Sequence, residues 1–394
     1  MPDFRIPATI SPRMTEPLAL YVHWPFCVSK CPYCDFNSHV RETVDQAVWR
    51  DALLADLRHE AALLPGRRVG SIFFGGGTSS LMPPATVAAV IAAADRTWGL
   101  ADDVEITLEA NPNSVEVANF ADLAAAGVNR VSIGVQSFDT EVLEFLGRAH
   151  SGDEARRAIA AAQAQFDRVS FDLIYARPGQ SLAAWEAELQ GALAFGTGHL
   201  SLYQLTIEPG TRFATLVAKG ALVIPDGDTA ADLFDATQAM TRGAGLPRYE
   251  VSNHARPGEE SRHNLAYWHY ADYAGIGPGA HGRRRGQATE RHKKPENFIA
   301  AIERNGHGLK HESDLPSHER ATEALLMGLR LTEGVDLTRI EARSGLPRVA
   351  FVDSEAAARL MKQGLMRQTG DRLSVTDDGI LLLDSILSEV VRTG

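Results

Sequence analysis

Three cysteines, Cys27, Cys31 and Cys34, are all that the 394-residue chain contains, and they fall together in the run YVHWPFCVSKCPYCDFNSHV. Cysteines that fill core gaps are scattered along a chain. Three packed into so short a run can aim their sulfurs at one point, the pattern of a soft multi-thiolate metal site. Zinc would need a fourth ligand, for which His23 or His39 could serve, but C-x3-C-x2-C differs from the paired C-x2-C knuckles of structural zinc. An iron–sulfur cubane has four irons, so three thiolates leave one iron open to bind something else. Inert cysteines are the third reading.

Other residue types suited to a polar ligand follow. In Gly75-Gly76-Gly77-Thr78 the missing side chains let backbone groups approach a ligand closely, and Thr78 adds a hydroxyl. Taken alone, the triplet is equally a plain turn. Glu109 in LEANP and Asp172 in FDLIYARPGQ are carboxylates suited to hydroxyl groups, Arg148 in LGRAH suits a carboxylate held bidentately, and Gln136 in GVQSF adds an amide. Each of the charged ones also fits a structural ion pair.

The elements that must position these residues are legible as apolar strand-like runs at Leu18 to His23, Val69 to Phe74, Val104 to Ala110, Arg130 to Val135, Arg168 to Ile174 and His199 to Thr206. Helical patterns lie between them. In Val44 to Leu64, Val48, Ala52, Leu53, Ala55, Leu57 and Leu64 form one stripe while Asp51, Arg58 and Glu60 face away from it. One helix per crossover is the rhythm of an α/β parallel sheet or barrel, in which chemistry lies beyond the C-terminal strand ends. The cysteine loop follows the first strand and the glycines the second. Glu109 ends the third, Gln136 follows the fourth, and Asp172 lies near the end of the fifth. Their convergence outweighs any single residue.

The expected organisation is a barrel over residues 1–245, an irregular segment over 246–310 and a smaller unit over 311–394. Residues 220–300 are rich in Gly, Pro, His and Arg and read as loops wrapped around something. Beyond about residue 315, helices at Arg320 to Leu331, Leu337 to Ser344 and Ser354 to Gln363 precede a hairpin of Leu365 to Gln368 with Arg372 to Thr376. A last helix, capped by Thr376, starts near Asp377. This is a winged-helix pattern.

A net charge of −11 argues against a dedicated nucleic-acid binder. The N-terminus lacks an apolar core behind a basic start, and no stretch reaches the roughly 18 apolar residues of a membrane helix. Membrane contact is therefore at most peripheral. An odd cysteine count fits a reducing, cytoplasmic setting. Arg283-Arg284-Arg285 and Arg291-His292-Lys293-Lys294 are the basic runs of this acidic chain. Such runs are mostly solvated loops, and the sharper reading has them meet the carboxylates of a ligand, anionic lipid or an acidic partner.

C-x3-C-x2-C with an aromatic, Tyr33, before the last cysteine is similar to the cluster loop of radical S-adenosylmethionine (SAM) proteins. The resemblance implies a partial (β/α)6 TIM-like barrel with a smaller C-terminal helical, winged-helix-like domain. It also implies a [4Fe-4S] cluster on Cys27, Cys31 and Cys34, SAM chelated at the open iron, and an electron donor such as flavodoxin or ferredoxin. Tyr21, Tyr33, Gly76, Gly77, Thr78, Glu109, Gln136, Arg148 and Asp172 match positions that line the cofactor pocket in the relatives. Together they resemble the coproporphyrinogen dehydrogenase branch.

That branch offers two functions: oxygen-independent decarboxylation of coproporphyrinogen propionates, or a heme chaperone that hands heme to acceptor hemoproteins. The dehydrogenases carry a further cysteine two positions after the last ligand, where this chain has Phe36, and a longer N-terminal extension than the 20 residues before Tyr21. His263-Asn264-Leu265-Ala266-Tyr267-Trp268 matches the HNxxYW motif of the chaperone group. His263, Asn264, Tyr267 and Trp268 thereby become the expected heme contacts, since an imidazole can ligate iron and aromatic faces can pack on porphyrin. The plainer reading is a loop anchored by aromatics, and His254, His269 and His281 are further imidazoles in that region. A homodimer is also implied. Two departures stand out: Ser79 replaces the usual proline, which would loosen that loop, and Ala176-Arg177 replaces Gly-Leu, which would set an arginine near the pocket.

Overall fold

The computed structural model describes residues 16–41 and 43–392. The reading of the N-terminus as lacking an export signal lies largely outside the described residues. Six strands form the heart of the sheet: β1 (Leu18–Trp24), β2 (Val69–Gly76), β3 (Leu100–Ala110), β4 (Arg130–Gln136), β5 (Arg168–Tyr175) and β6 (His199–Gln204). They pair in chain order and all in parallel. Register places Leu20 beside Ile72, Ile72 beside Ile106, Leu108 beside Val131 and Phe171 beside Leu200, so apolar layers continue across the sheet. Burial on both faces explains why these strands read as near-continuous apolar runs.

Helices cover the outside. α1 (Gln46–Leu63) starts at Asp45, whose carboxylate accepts from the Ala47 and Val48 N–H groups. α2 (Pro84–Trp98) opens on a proline, and α3 (Gly152–Gln165) carries a Ser151–Glu154 capping box. α4 (Leu182–Leu193) and α5 (Gly227–Gly243) follow β5 and β6.

The sheet does not close. β7 (Arg248–Glu250) and β8 (Asn253–Ala255) add antiparallel strands beyond β6. On the other side β9 (Tyr273–Ile276) pairs in parallel with β1, and β10 (His281–Arg284), β11 (Gln287–Arg291) and β12 (Leu309–Asp314) extend it as an antiparallel meander. The stretch expected as wrapped loops instead holds five short strands, β7 to β11, together with α5 and a helix at Arg262–Trp268. Its glycines and prolines punctuate short strands.

The basic runs are corrected in the same way. Arg283, Arg284 and Arg291 are buried. Arg291 binds Asp56 through Nε at 3.2 Å and Glu60 through Nη2 at 2.6 Å, while Arg284 binds Glu60 at 2.9 Å and also Glu312. Asp56 further accepts from the N–H groups of Gly277 and Gly308. Glu60, expected on the solvent face of α1, is fully buried in this network, whereas Val48, expected in the apolar stripe, is exposed. The network bolts α1 to the meander. Only Arg285, Lys293 and Lys294 of the two runs are exposed.

The C-terminal unit packs α6 (Ser317–Gly328), α7 (Leu337–Ser344) and α8 (Ser354–Lys362) on a hairpin of Met366–Thr369 with Arg372–Val375. Its core includes Leu325, Phe351, Leu360, Leu373 and Ile386, and Phe234 from α5 joins it. The last helix begins later than expected, at Leu383. Thr376 Oγ1 instead accepts from the Gly379 N–H, just ahead of a one-turn 3-10 segment at Ile380–Leu382. Asp377 ties this region to the barrel through Arg242 and Arg248. No helix among the described residues is long and apolar enough to cross a membrane.

Glu60→Ala would leave two buried guanidiniums short of a partner, a change that costs about 3–5 kcal/mol at a buried pair. Urea unfolding should show a large drop in midpoint with an unchanged slope. A midpoint within error of the parent would contradict the network's role.

Candidate functional site: a cysteine loop over the barrel mouth

Beyond β1 the chain forms a two-residue strand, Phe26–Cys27, paired in parallel with His39–Val40, and the cysteines lie on the loop between. This loop is tied down at several points. Asn37 donates through Nδ2 to Pro278 O at 2.9 Å and Lys293 O at 3.0 Å. Its own carbonyl oxygen lies 2.9 Å from His23 Nε2, so that nitrogen carries the proton and Nδ1 accepts from the Tyr21 hydroxyl at 2.9 Å. Burial pushes the His23 pKa down to about 4, which keeps the ring neutral. On the far side, the Phe213 N–H donates to Pro32 O, and Tyr33 packs near Phe213.

The glycine triplet supports this loop from below. A Cβ on Gly76, whose φ is +113°, would lie 2.7 Å from the His23 ring, and one on Gly77 would lie 2.6 Å from Phe26 O and 3.0 Å from Cys27 Sγ. The N–H groups are already engaged: Gly76 with Glu109 Oε2, Gly77 with Trp24 O and Thr78 with Phe26 O. Ser79 does not loosen the turn. Its hydroxyl contacts Phe74 O at 2.8 Å and Glu109 O at 2.9 Å, joining the ends of β2 and β3.

A cavity of about 890 Å³ opens beside the loop. Cys27, Cys31, Cys34, Tyr33, Gly76, Gly77, Thr78, Glu109, Gln136, Arg148 and Asp172 all line it, so ten strand-end and loop positions singled out from sequence, and the Arg148 that follows, meet in one space. Gln136 sits there with φ +67°, a backbone conformation that a non-glycine side chain rarely adopts and that recurs at functional sites. Tyr21 does not line the cavity; it acts through His23. Asn111, Asn113 and Glu116 line it too and were not singled out. Buried Glu116 gathers Ser80, Asn113 and the Asn111 N–H, and Asn111 Oδ1 accepts from Arg148 Nη2 at 2.6 Å. The asparagines of LEANPNS were the available signal.

Donors converge on the sulfurs. Thr78 Oγ1 is 3.7 Å from Cys27 Sγ and Arg148 Nη1 is 3.6 Å from Cys31 Sγ. Arg148 uses Nη2 on Asn111 and Gly134 O, so it is a fixed positive charge beside the loop. Such surroundings suit thiolates. As free thiols, Cys27 and Cys34 are pushed up chiefly by burial. The zinc reading lacks a free fourth ligand: His23 is engaged as above, and His39 Nε2 contacts Asn37 Oδ1. Three part-exposed thiols bordering a polar cavity fit a cluster that leaves one iron facing that cavity.

Two expectations fall outside the cavity. Arg177 is buried against Glu188 at 2.5 Å and Ser137 at 2.9 Å and does not line it. The HNLAYW segment forms the helix Arg262–Trp268 near the N-terminal ends of β2 and β3. His263 has both ring nitrogens bonded, to Ser71 Oγ at 3.0 Å and Tyr267 OH at 2.7 Å, while Glu105 receives the N–H groups of Arg262 and His263. Burial drives the His263 pKa down to about 3. The imidazole is thus enclosed, with both nitrogens engaged by protein groups. Trp268 lies under Arg330, whose guanidinium is 4.7 Å from the ring and lines the cavity.

Burial, reinforced by Asp172, raises the Glu109 pKa to about 7, and burial raises that of Asp172 to about 6. Carboxyls with raised folded pKa values stabilise the fold when protonated, and that contribution is lost as pH rises through the folded values. The metal-free chain should therefore lose stability between about pH 4.5 and 7, and Glu109→Gln should flatten that slope. Urea midpoints across this range check it; parallel slopes for parent and variant would contradict it.

Comparison with known proteins follows this geometry closely. Residues 21–190 match the model of the radical SAM superfamily and residues 315–382 that of the HemN C-terminal domain. The chain is 41% identical to a Bos taurus relative named radical S-adenosyl methionine domain-containing protein 1, mitochondrial, over 94% of this chain and 86% of the relative. It is 38% identical to heme chaperone HemW of Escherichia coli over 94% and 97%, and 36% identical to that of Mycobacterium tuberculosis over 96% of each. A solved structure of coproporphyrinogen III oxidase (HemN) from Escherichia coli shares the fold at 24% identity, with a TM-score of 0.80 over 96% of this chain and 91% of that one.

Proposed function

The chain belongs to the radical SAM superfamily, in the family that includes the heme chaperone HemW, and from that premise we propose that it binds heme and passes it to acceptor hemoproteins. Cys27, Cys31 and Cys34 would hold a [4Fe-4S] cluster, which when bound supplies an open iron for SAM and an electron for its sulfonium. The polar residues around it have separable tasks. Glu109 and Asp172 offer carboxyl groups to hydroxyls of a bound nucleoside, Gln136 offers an amide, and Arg148, held by Asn111, keeps positive charge beside Cys31. Tyr21 and His23 hold the loop's return at Asn37.

The observation that carries the chaperone reading is Phe36. It lines the cavity with 61% of its surface exposed, at the position where the dehydrogenases of the resemblance have a further cysteine. A thiol there could take part in chemistry; a phenyl ring can only pack. A reducing compartment such as the cytoplasm, an electron donor and a homodimer belong to the same proposal.

Hemin added anaerobically to the reconstituted chain should bind stoichiometrically and move to apomyoglobin on mixing, as followed by absorbance. In a parallel incubation with coproporphyrinogen, reductant and SAM, no protoporphyrinogen should form. Its formation would overturn the chaperone reading in favour of the dehydrogenase.

A further inference from the structure

Cys31 and Cys34 border two cavities. The first is the one described above; the second, of about 650 Å³, is lined by these two residues but by none of Cys27, Glu109, Gln136, Arg148 and Asp172. It is a separate approach to the same thiols. Its wall is firmly set, since the Phe213 N–H donates to Pro32 O at 3.1 Å and a Cβ on Gly147, whose φ is +67°, would lie 2.6 Å from the Pro32 ring.

The second cavity combines apolar surface with unspent positive charge. Phe145, Phe213 and Leu216 line it and belong to one apolar cluster with Leu222. Directly after Leu222, Val223 and Ile224 are left 74% and 42% exposed, and large apolar side chains in water mark a contact surface. Lys30 and Arg212 also line the cavity, both exposed and neither in an ion pair among the described residues. Lys219, which closes the helix that Arg212 opens, is a third exposed cation of this kind. Glu144 is the acid that shares the lining with them. In a chain of net charge −11, a local excess of positive charge selects an acidic partner and speeds its encounter.

An electron crosses protein only over short distances, so it must enter close to the thiols that hold the cluster. The first cavity is the one SAM would occupy. We propose that a small acidic protein carrying a low-potential one-electron cofactor docks over the second cavity, its carboxylates on Lys30 and Arg212, and that the electron enters beside Cys31 and Cys34. This rests on the cluster assigned under the proposed function and deepens it by giving the electron donor a surface. One electron leaves the partner's reduced cofactor, which is oxidised, and enters the cluster, which is reduced; no bond is made or broken. Such encounters are brief and small, burying less than about 1,200 Å², which suits a few cations around an apolar wall.

Flavodoxin hydroquinone, mixed anaerobically with the reconstituted full chain and followed by absorbance as it becomes the semiquinone, tests this surface. Lys30→Glu combined with Arg212→Glu should slow that oxidation by about tenfold or more at low salt, and added sodium chloride should slow the parent far more than the variant. Dithionite, a small reductant that needs no docking, should reduce both clusters equally fast. Glu144→Lys should speed the flavodoxin reaction by about twofold or more. Parent-like rates with flavodoxin in all variants, slowing by dithionite in equal measure, or a parent that dithionite reduces and flavodoxin does not, would overturn the docking surface and leave the chaperone reading standing. A parent that assembles no iron–sulfur cluster would overturn the cluster assignment itself, and hemin transfer, scored separately, decides the chaperone reading.

Discussion

A neutral imidazole enclosed in the barrel mouth carries the arrangement. His23 ends the useful length of β1, and its Nε2–H reaches the carbonyl of Asn37, the residue at which the cysteine loop returns. Asn37 in turn grips the backbone at Pro278 and Lys293, on the meander side of the sheet. The three thiols are thus suspended between the first strand and a part of the chain more than 240 residues away. Gly76 exists at its position because any side chain there would strike the same imidazole. If His23 were charged, its low-dielectric surroundings would have to hold an uncompensated cation, which burial resists.

Strand ends of β2 to β5 can contribute only what points up from a packed parallel sheet, and they contribute carboxyls and amides, while Arg148 enters from the segment after β4. The C-terminal unit approaches from the side and contributes leucines. A truncated chain lacking that unit would keep the cysteines and lose a wall of the cavity.

Much of this was legible in the sequence. Each of the six barrel strands begins at or within a few residues of its apolar run, since a strand buried on both faces has no polar alternation to confuse its reading. Leu337–Ser344 is found at the bounds its periodicity gives. The site residues were legible because a parallel sheet sends its strand ends to one side. What was hidden depended on partners distant in sequence. Arg284 and Arg291 look like a solvated run until Asp56 and Glu60, more than 220 residues earlier, meet them in the core. The partners of the two His263 nitrogens, Ser71 and Tyr267, were likewise not legible from the motif. Leu381 and Leu382 fall within the expected last helix, whereas the structure places them in a 3-10 turn that lines the cavity.

The central claim is that three thiolates hold a cluster whose remaining iron faces the cavity lined by Glu109, Gln136, Arg148 and Asp172. Electron paramagnetic resonance of the anaerobically reconstituted, dithionite-reduced chain, recorded before and after adding SAM, tests it most directly. The account predicts a reduced [4Fe-4S] signal that shifts on SAM addition and is absent from Cys31→Ala. A signal indifferent to SAM, or a chain that takes up zinc and no iron–sulfur cluster, would contradict it.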